Sequence, residues 1–326
     1  MKKARIIGTG SYLPEKVLTN FDLEKMVDTT NDWISARTGI EERRIAAEHE
    51  MTSDLAVIAA QRAMEMAGVT ADQIDLIIVG TITGDFPWPS TACLVQDKLG
   101  AVNAAAWDVS AACSGFVYAL TSATQYLQSG SAKRALVIGA EILSRIIDWE
   151  DRNTCILFGD GAGAVVLEAQ EGDNGILSTH LHADGSHWEL LYQPGFGAKH
   201  PATVSGIEQR LPFLHMAGNE VYKMAVRSLY DVAVEALDAN SMTTEDVKLL
   251  FPHQANRRIL DAVKKRLKLR DDQMYVNVDK CGNTSGASIP IALDEANRNG
   301  LLNEGDILVF DAFGGGFTWG ACILRW

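Results

Sequence analysis

Three residue types suited to acyl transfer stand in small-residue surroundings. Cys113 lies in Asp108-Val109-Ser110-Ala111-Ala112-Cys113-Ser114-Gly115-Phe116, His253 in Phe251-Pro252-His253-Gln254-Ala255-Asn256, and Asn283 in Cys281-Gly282-Asn283-Thr284-Ser285-Gly286-Ala287-Ser288. Each alone has an ordinary structural reading: a cysteine in a packing seam, a packed histidine, a turn asparagine. Together they suit chemistry through a thioester, and a cysteine hydrolase would use the same three types. A further run, Gly314-Gly315-Gly316, would let backbone N–H groups approach a substrate oxygen.

The elements around these residues support the grouping. An apolar run over 104–109 reads as a buried strand, and Phe116, Ala119, Leu120, Ala123 and Leu127 recur at helical spacing. Cys113 is thus expected at a strand-to-helix turn, where free N–H groups and the helix dipole would lower its pKa. His253 follows the apolar segment Leu249-Leu250-Phe251, so it is expected at the carboxyl end of a strand, where α/β sites sit. Apolar runs over 75–80, 135–140 and 165–167 read as strands, as does 4–10, which ends in glycines. Helices are expected over 20–27, 54–67, 91–99 and 218–239. The irregular stretch 180–215 reads as an excursion over the surface or over a site.

An internal repeat ties the two ends of the chain together. Ala63-Met64 and 72–77 match Ala236-Leu237 and 245–250, strand 136–140 matches 308–312, and the Cys113 turn matches 277–284 around Asn283. Two packed halves of alternating strands and helices would bring the equivalent turns, with Cys113 and Asn283, to one site.

With 326 residues, the chain is long enough for two domains or one large one. A net charge of −13 argues against nucleic acid as a partner. No apolar run reaches membrane-spanning length, and the first residues carry too short an apolar run for a signal peptide. Five widely spaced cysteines without a CxxC pair suit a reducing cytoplasm and form no disulfide or metal framework. Gly8-Thr9-Gly10 lacks the third glycine of a dinucleotide loop, and the glycines of 159–163 lead into a strand and read as a close-packed turn. Trp33 and Arg37, four apart on a helix, could form a platform for a planar group or simply pair with each other. The segment 257–270 carries seven cations against Asp261, with Ile259, Leu260, Val263 and Leu267 as an apolar stripe. It reads either as a dock for an anionic partner or as a solvated face.

The segments quoted around Cys113, His253 and Asn283, together with Gly314-Gly315-Gly316-Phe317-Thr318-Trp319-Gly320, strongly resemble the β-ketoacyl-[acyl-carrier-protein] synthase III family. The resemblance runs from Ile6 to Trp326. It implies an α/β thiolase fold with two pseudo-symmetric halves in five α-β-α-β-α layers, and a homodimer. Residues 1–172 would carry the nucleophile and 173–326 the His and Asn. The implied function is the initiating condensation of bacterial-type (type II) fatty acid synthesis. A short acyl-CoA, usually acetyl-CoA, acylates Cys113. Malonyl-[acyl-carrier protein] then loses CO₂ and its carbanion attacks the thioester, giving 3-oxoacyl-[acyl-carrier protein].

By the same resemblance, neutral His253 and Asn283 donate to the malonyl thioester oxygen, and the N–H groups of Cys113 and Gly315 form the oxyanion hole. Trp33 and Arg152 would sandwich adenine, with Arg37 and Lys223 near the CoA phosphates. Gln254, Ala255, Asn256, Arg257 and Arg258 match the carrier-protein contact, extended by Lys265 and Arg266. Trp88, in Phe86-Pro87-Trp88-Pro89, would close the acyl pocket from the neighbouring subunit, and its indole suggests a short primer. Acyl-CoA enters as substrate; no permanently bound cofactor, metal or membrane insertion is implied. The alternatives are a polyketide or quinolone starter synthase of the same fold and, in another class, a cysteine-dependent thioester hydrolase.

Overall fold

The computed structural model describes residues 2–326. Its two main sheets share one plan. In the first, the spatial order is Lys3–Tyr12, Gly161–Gln170, Arg134–Glu141, Leu76–Gly80, Ala105–Val109. In the second it is Gly175–Ala183, Thr318–Arg325, Ile307–Gly314, Val247–Pro252. Each begins with two antiparallel pairings and continues with a parallel one. The fifth strand of the first sheet has no full counterpart; in the second sheet Leu250 makes a single parallel bridge to Met274 at that edge.

Both faces of these strands are covered, which is why they read as unbroken apolar runs. Side-chain alternation sends Ile77, Val79, Leu136 and Ile138 against the outer helices Thr52–Ala67 and Thr91–Leu99. Leu76, Ile78, Ala135 and Val137 point the other way. They meet helices Gly115–Gln128 and Ser288–Arg298, which also receive Leu249, Phe251, Leu308 and Phe310 from the second sheet. The opposite face of that sheet, with Leu250, Val309 and Phe313, packs on helices Gly218–Ala239 and Arg257–Leu267. The result is the expected five layers, with two helices shared at the centre.

The two central helices start at equivalent turns. The 3-10 turn Ala112–Ser114 precedes one, and Ser285–Ala287 precedes the other. Ala112 and Ser285 both adopt the left-handed region, at φ 45° and 49°, a strained choice for non-glycine residues. Their spacing, 173 residues, corrects the sequence-based alignment of this turn: Cys113 is equivalent to Gly286, not to Gly282. The turns touch. A Cβ on Gly286 would stand 3.2 Å from the Ala112 carbonyl, and a Cβ on Gly139 would stand 2.2 Å from the Gly286 carbonyl.

Three local expectations change. The helix expected over 20–27 is Asn20–Leu23, stopped after one turn. Helix Thr52–Ala67 starts two residues before the expected 54, because Asp54 reaches back to the Met51 N–H. Within 180–215, Leu191–Tyr192 pairs with His215–Met216, so the excursion has a small ladder of its own.

Candidate active site

Cys113 sits in its 3-10 turn, one step ahead of helix Gly115–Gln128. The loop Gly314-Gly315-Gly316 lies against it. A Cβ on Gly314 would come within 2.7 Å of the Cys113 nitrogen, so only glycine permits this approach. Ser114 Oγ donates to the Thr318 carbonyl at 2.8 Å and Thr318 Oγ1 to the Ala111 carbonyl at 3.1 Å, which clamps turn and loop together. Gly315 follows, under the Leu191 carbonyl.

His253 comes directly after strand Val247–Pro252 and is 3% exposed. Its N–H donates to the Asp311 carbonyl on the neighbouring strand at 2.7 Å. Its Nδ1 lies 2.8 Å from Ser288 Oγ, and that oxygen accepts the Gln254 N–H at 3.2 Å. Asn283 is fixed by its backbone: its N–H donates to Leu157 and its carbonyl accepts from Gly159. Its Oδ1 accepts the Ser285 N–H at 2.8 Å, leaving the Nδ2 hydrogens without a partner among the described residues.

These three side chains line one cavity. Its approach is apolar, built by Leu191, Met216, Val221, Ala225 and Ile259, with Ala255 and Asn256 at the start of helix Arg257–Leu267. The irregular 180–215 stretch therefore reaches the site through Leu191. A narrow apolar channel ending in a thiol, an imidazole and an amide can hold a thin flexible arm and present a thioester at its tip.

The dry pocket sets the electrostatics. Burial pushes the Cys113 thiol up to about 12, and the Glu141 carboxylate adds to this; the Ser285 hydroxyl and the Cys113 N–H pull it down. This runs against the lowered pKa expected from the helix terminus: burial is the largest influence on the thiol. Burial also pushes His253 down to about 4, against the Ser285 carbonyl, so the ring is neutral at neutral pH.

A stability test follows from His253. The unfolded chain takes up this proton near the ordinary 6.5 and the folded chain only near 4. The unfolded state binds more protons in that window, so this residue costs the fold progressively as pH falls through it. His253→Gln lacks this proton uptake. The melting temperature of wild type relative to the variant is expected to drop between about pH 6.5 and 4; a constant difference would refute the shift.

Further residues matter that the sequence reading left out. Ser288 orients His253. Glu141 is wholly buried beyond Cys113, and Asp311 is buried with both carboxyl oxygens unpartnered and its pKa driven well up by burial. Ser288 and Asp311 lay inside segments already singled out, the Asn283 turn and the repeat strand 308–312; Glu141 did not.

At the surface, the Arg37 guanidinium lies 4.2 Å and that of Arg152 5.0 Å from the Trp33 ring centre. Arg152 also donates to the Asp28 carbonyl at 2.9 Å. A ring inserted between Trp33 and Arg152 needs about 7 Å, two ordinary contact distances, so Arg152 must move for anything to stack there. Lys223 is exposed on helix Gly218–Ala239. Gly39, after the Trp33 helix, abuts Arg257.

On the basic helix Arg257 pairs with Asp261 and Lys264 with Asp271. Arg258 and Arg266 lie over Tyr222 and Tyr230, and with Lys265 they have no carboxylate partner among the described residues. Gln254 does not belong to that surface. It is 1% exposed, and its amide is consumed by Pro252, Tyr275 and the Asn277 N–H, so it holds the turn internally and cannot meet a partner directly. Trp88 is 86% exposed and does not line the cavity of its own chain. Among the described residues, no cluster of His, Cys, Asp and Glu could hold a metal ion, and no helix is long and apolar enough to cross a membrane.

Known proteins match this chain along its length. The family model 3-oxoacyl-[acyl-carrier-protein (ACP)] synthase III matches residues 107–185, and that family's C-terminal model matches 237–326. A β-ketoacyl-[acyl-carrier-protein] synthase III of Xanthomonas campestris is 58% identical over 328 residues, covering 99% of this chain and 98% of the relative. One of Caldanaerobacter subterraneus is 54% identical over 323 residues, with the same coverages. The crystal structure of 3-oxoacyl-[acyl-carrier-protein] synthase III from Aquifex aeolicus has a TM-score of 0.92 at 50% identity, covering 99% of this chain and 100% of that one.

Proposed function

Since the chain belongs to the β-ketoacyl-[acyl-carrier-protein] synthase III family, the initiating condensing enzymes of type II fatty acid synthesis, we propose that Cys113 is its acyl-carrying nucleophile and that His253 and Asn283 drive the condensation. The observation that carries this reading is the shared cavity of the three side chains. The Ser288 hydroxyl accepts from the Gln254 N–H and can donate to His253 Nδ1, an arrangement in which the ring proton sits on Nε2. That N–H and the Asn283 amide can then donate to one thioester oxygen. Decarboxylation of malonyl-[acyl-carrier protein] places negative charge there, where preorganised donors in a dry pocket are most effective. The Cys113 N–H, with Gly315 from the glycine loop, would receive the oxyanion formed at the acyl carbon. The primer is a short acyl-CoA, acetyl-CoA in the first instance, acting as substrate and not as a resident cofactor. The experiment is acylation of Cys113 by acetyl-CoA, read by intact mass, followed by condensation with malonyl-[acyl-carrier protein]; no acetyl adduct on wild type would overturn the reading.

Surface assignments extend the reading. Trp33 and Arg152 would hold adenine once Arg152 swings away, with Arg37 and Lys223 near the phosphates. The cations Arg258, Lys265 and Arg266, without a carboxylate partner among the described residues, would take the anionic carrier protein, with Ala255, Asn256 and Arg257 beside the cavity. Reversing their charges (Arg258→Glu with Lys265→Glu and Arg266→Glu) is expected to raise KM for malonyl-[acyl-carrier protein] about tenfold or more while acylation by acetyl-CoA is unchanged. Equal loss of both half-reactions would sink the assignment.

The division into halves at 172/173 is supported by the change of sheet between Gln170 and Gly175. An indole as exposed as that of Trp88 suits a homodimer in which it caps the partner's acyl pocket, in the cytoplasm where acyl-CoA is available. Trp88→Ala is then expected to admit longer acyl-CoA primers; an unchanged chain-length profile would remove the gate.

A further inference from the structure

Behind Cys113 the structure holds a polar chain that the condensation does not use. The Ser285–Ala287 turn packs on the turn of Cys113, the Ser285 hydroxyl pulls the thiol's pKa down, and it donates to Glu141 Oε1 at 3.2 Å. Glu141 ends strand Arg134–Glu141 and is 0% exposed. Its other donors are Thr81 Oγ1 at 3.2 Å, the Ile82 N–H at 3.2 Å and Thr83 Oγ1. Thr83 Oγ1 in turn accepts the Ile142 N–H at 2.9 Å. All of these are neutral groups. A carboxylate placed in a dry site with hydroxyl and amide donors but no cation is costly to keep for packing alone.

We propose that Ser285 and Glu141 are the proton relay of Cys113, an inference that rests on Cys113 being the nucleophile. As Cys113 Sγ bonds to the acyl carbon, its proton passes to Ser285 Oγ and the Ser285 proton passes to Glu141 Oε1. The bond from the acyl carbon to the CoA sulfur breaks, and the departing thiolate takes its proton from water. In the condensation the malonyl carbanion bonds to the same carbon, the carbon–Sγ bond breaks, and Glu141 returns its proton through Ser285 to the Cys113 thiolate. One proton from water is consumed per cycle, as decarboxylative condensation requires. Glu141 works through Ser285 and touches no reacting atom.

The surroundings suit this exchange. Burial pushes Glu141 up to about 7 against its donors, a value suited to taking and returning a proton at neutral pH. Its charge pushes Cys113 up, so the pair holds one negative charge between them. Of the other titratable groups nearby, Asp311 on strand Ile307–Gly314 is buried without a hydrogen-bond partner for its carboxyl among the described residues and its pKa is driven well up by burial, which favours the neutral acid. Asp160 precedes Gly161, the strand partner of Glu141, and is bonded to the Ala46 N–H and to Ser144. His253, in the Cys113 cavity, is neutral.

The test is the single-turnover rate of acetyl-Cys113 formation from acetyl-CoA, read by intact mass against pH. Wild type is compared with Glu141→Gln, which keeps the shape and an acceptor but takes no proton, and with Ser285→Ala. Both variants are expected to acylate about 100-fold more slowly. The wild-type inflection near pH 7 is expected to vanish in Glu141→Gln, a change that a merely structural role would not produce. Rates within about threefold of wild type, or a retained inflection, would overturn the relay while leaving Cys113 as nucleophile. No adduct in wild type would overturn the nucleophile itself. Should Glu141→Gln fail to fold, Ser285→Ala decides the matter by the same rate criterion.

Discussion

Cys113→Ala gains no mass when mixed with acetyl-CoA, whereas the wild-type protein gains a single acetyl group. This is the expected result of an intact-mass measurement, and the other four cysteines serve as internal controls. Cys155, Cys281 and Cys322 are buried, Cys93 is exposed, and none of them lines the cavity that Cys113 shares with His253 and Asn283. An exposed thiol can be acylated non-specifically, but that adduct would persist in the variant. Overall condensation is expected to fall roughly 10⁴-fold or more, since removing a covalent nucleophile leaves only binding and the oxyanion donors. Acetylation of the variant to the wild-type extent would remove Cys113 from the mechanism. Wild-type turnover to free acetate without a carbon–carbon bond would replace the condensing enzyme with a hydrolase. Condensation with malonyl-CoA in preference to malonyl-[acyl-carrier protein] would point to a polyketide-type starter enzyme.

The second large effect separates the two half-reactions. His253→Ala and Asn283→Ala are each expected to slow decarboxylative condensation about 10²–10³-fold, the usual cost of losing one oxyanion donor. Acetyl-Cys113 should still form in both variants. The double variant should lose less than the product of the two effects, because both groups serve the same oxygen. The comparison also bears on the proton relay. If His253→Ala abolished acylation as well, His253 would be the base for Cys113, and the route through Ser285 to Glu141 would be unnecessary.

The strands were legible because their coverage on both faces leaves a mark in the sequence: continuous apolar runs at 76–80, 135–140 and 307–310. The repeat was legible for the same reason, since equivalent strands have equivalent neighbours. Its register failed at the turn. Small residues there look alike, and only the paired left-handed residues Ala112 and Ser285 show which positions correspond. Enclosure was not legible either. The walls around Cys113 come from Leu191, Met216 and Phe313, far away in sequence, so the sign of the thiol's pKa shift depends on tertiary packing. Glu141 escaped notice because a carboxylate ending an apolar strand normally marks the return to solvent. Gln254 was misplaced for the opposite reason: a polar residue in a turn normally faces out, yet here it bonds three backbone segments inside.

The guanidinium of Arg152 over Trp33 has a consequence for how a nucleotide would come and go. A group tethered within the same chain competes at an effective concentration that no dilution changes. If Trp33 takes the adenine of CoA, affinity there would be measured net of displacing an internal rival. That rival acts on acyl-CoA and on spent CoA alike, so it cannot help the enzyme tell them apart. What it does is keep the handle weak. On that reading the acyl group would stay behind on the protein, and the carrier that delivered it would be shed quickly, clearing the cavity for the second substrate.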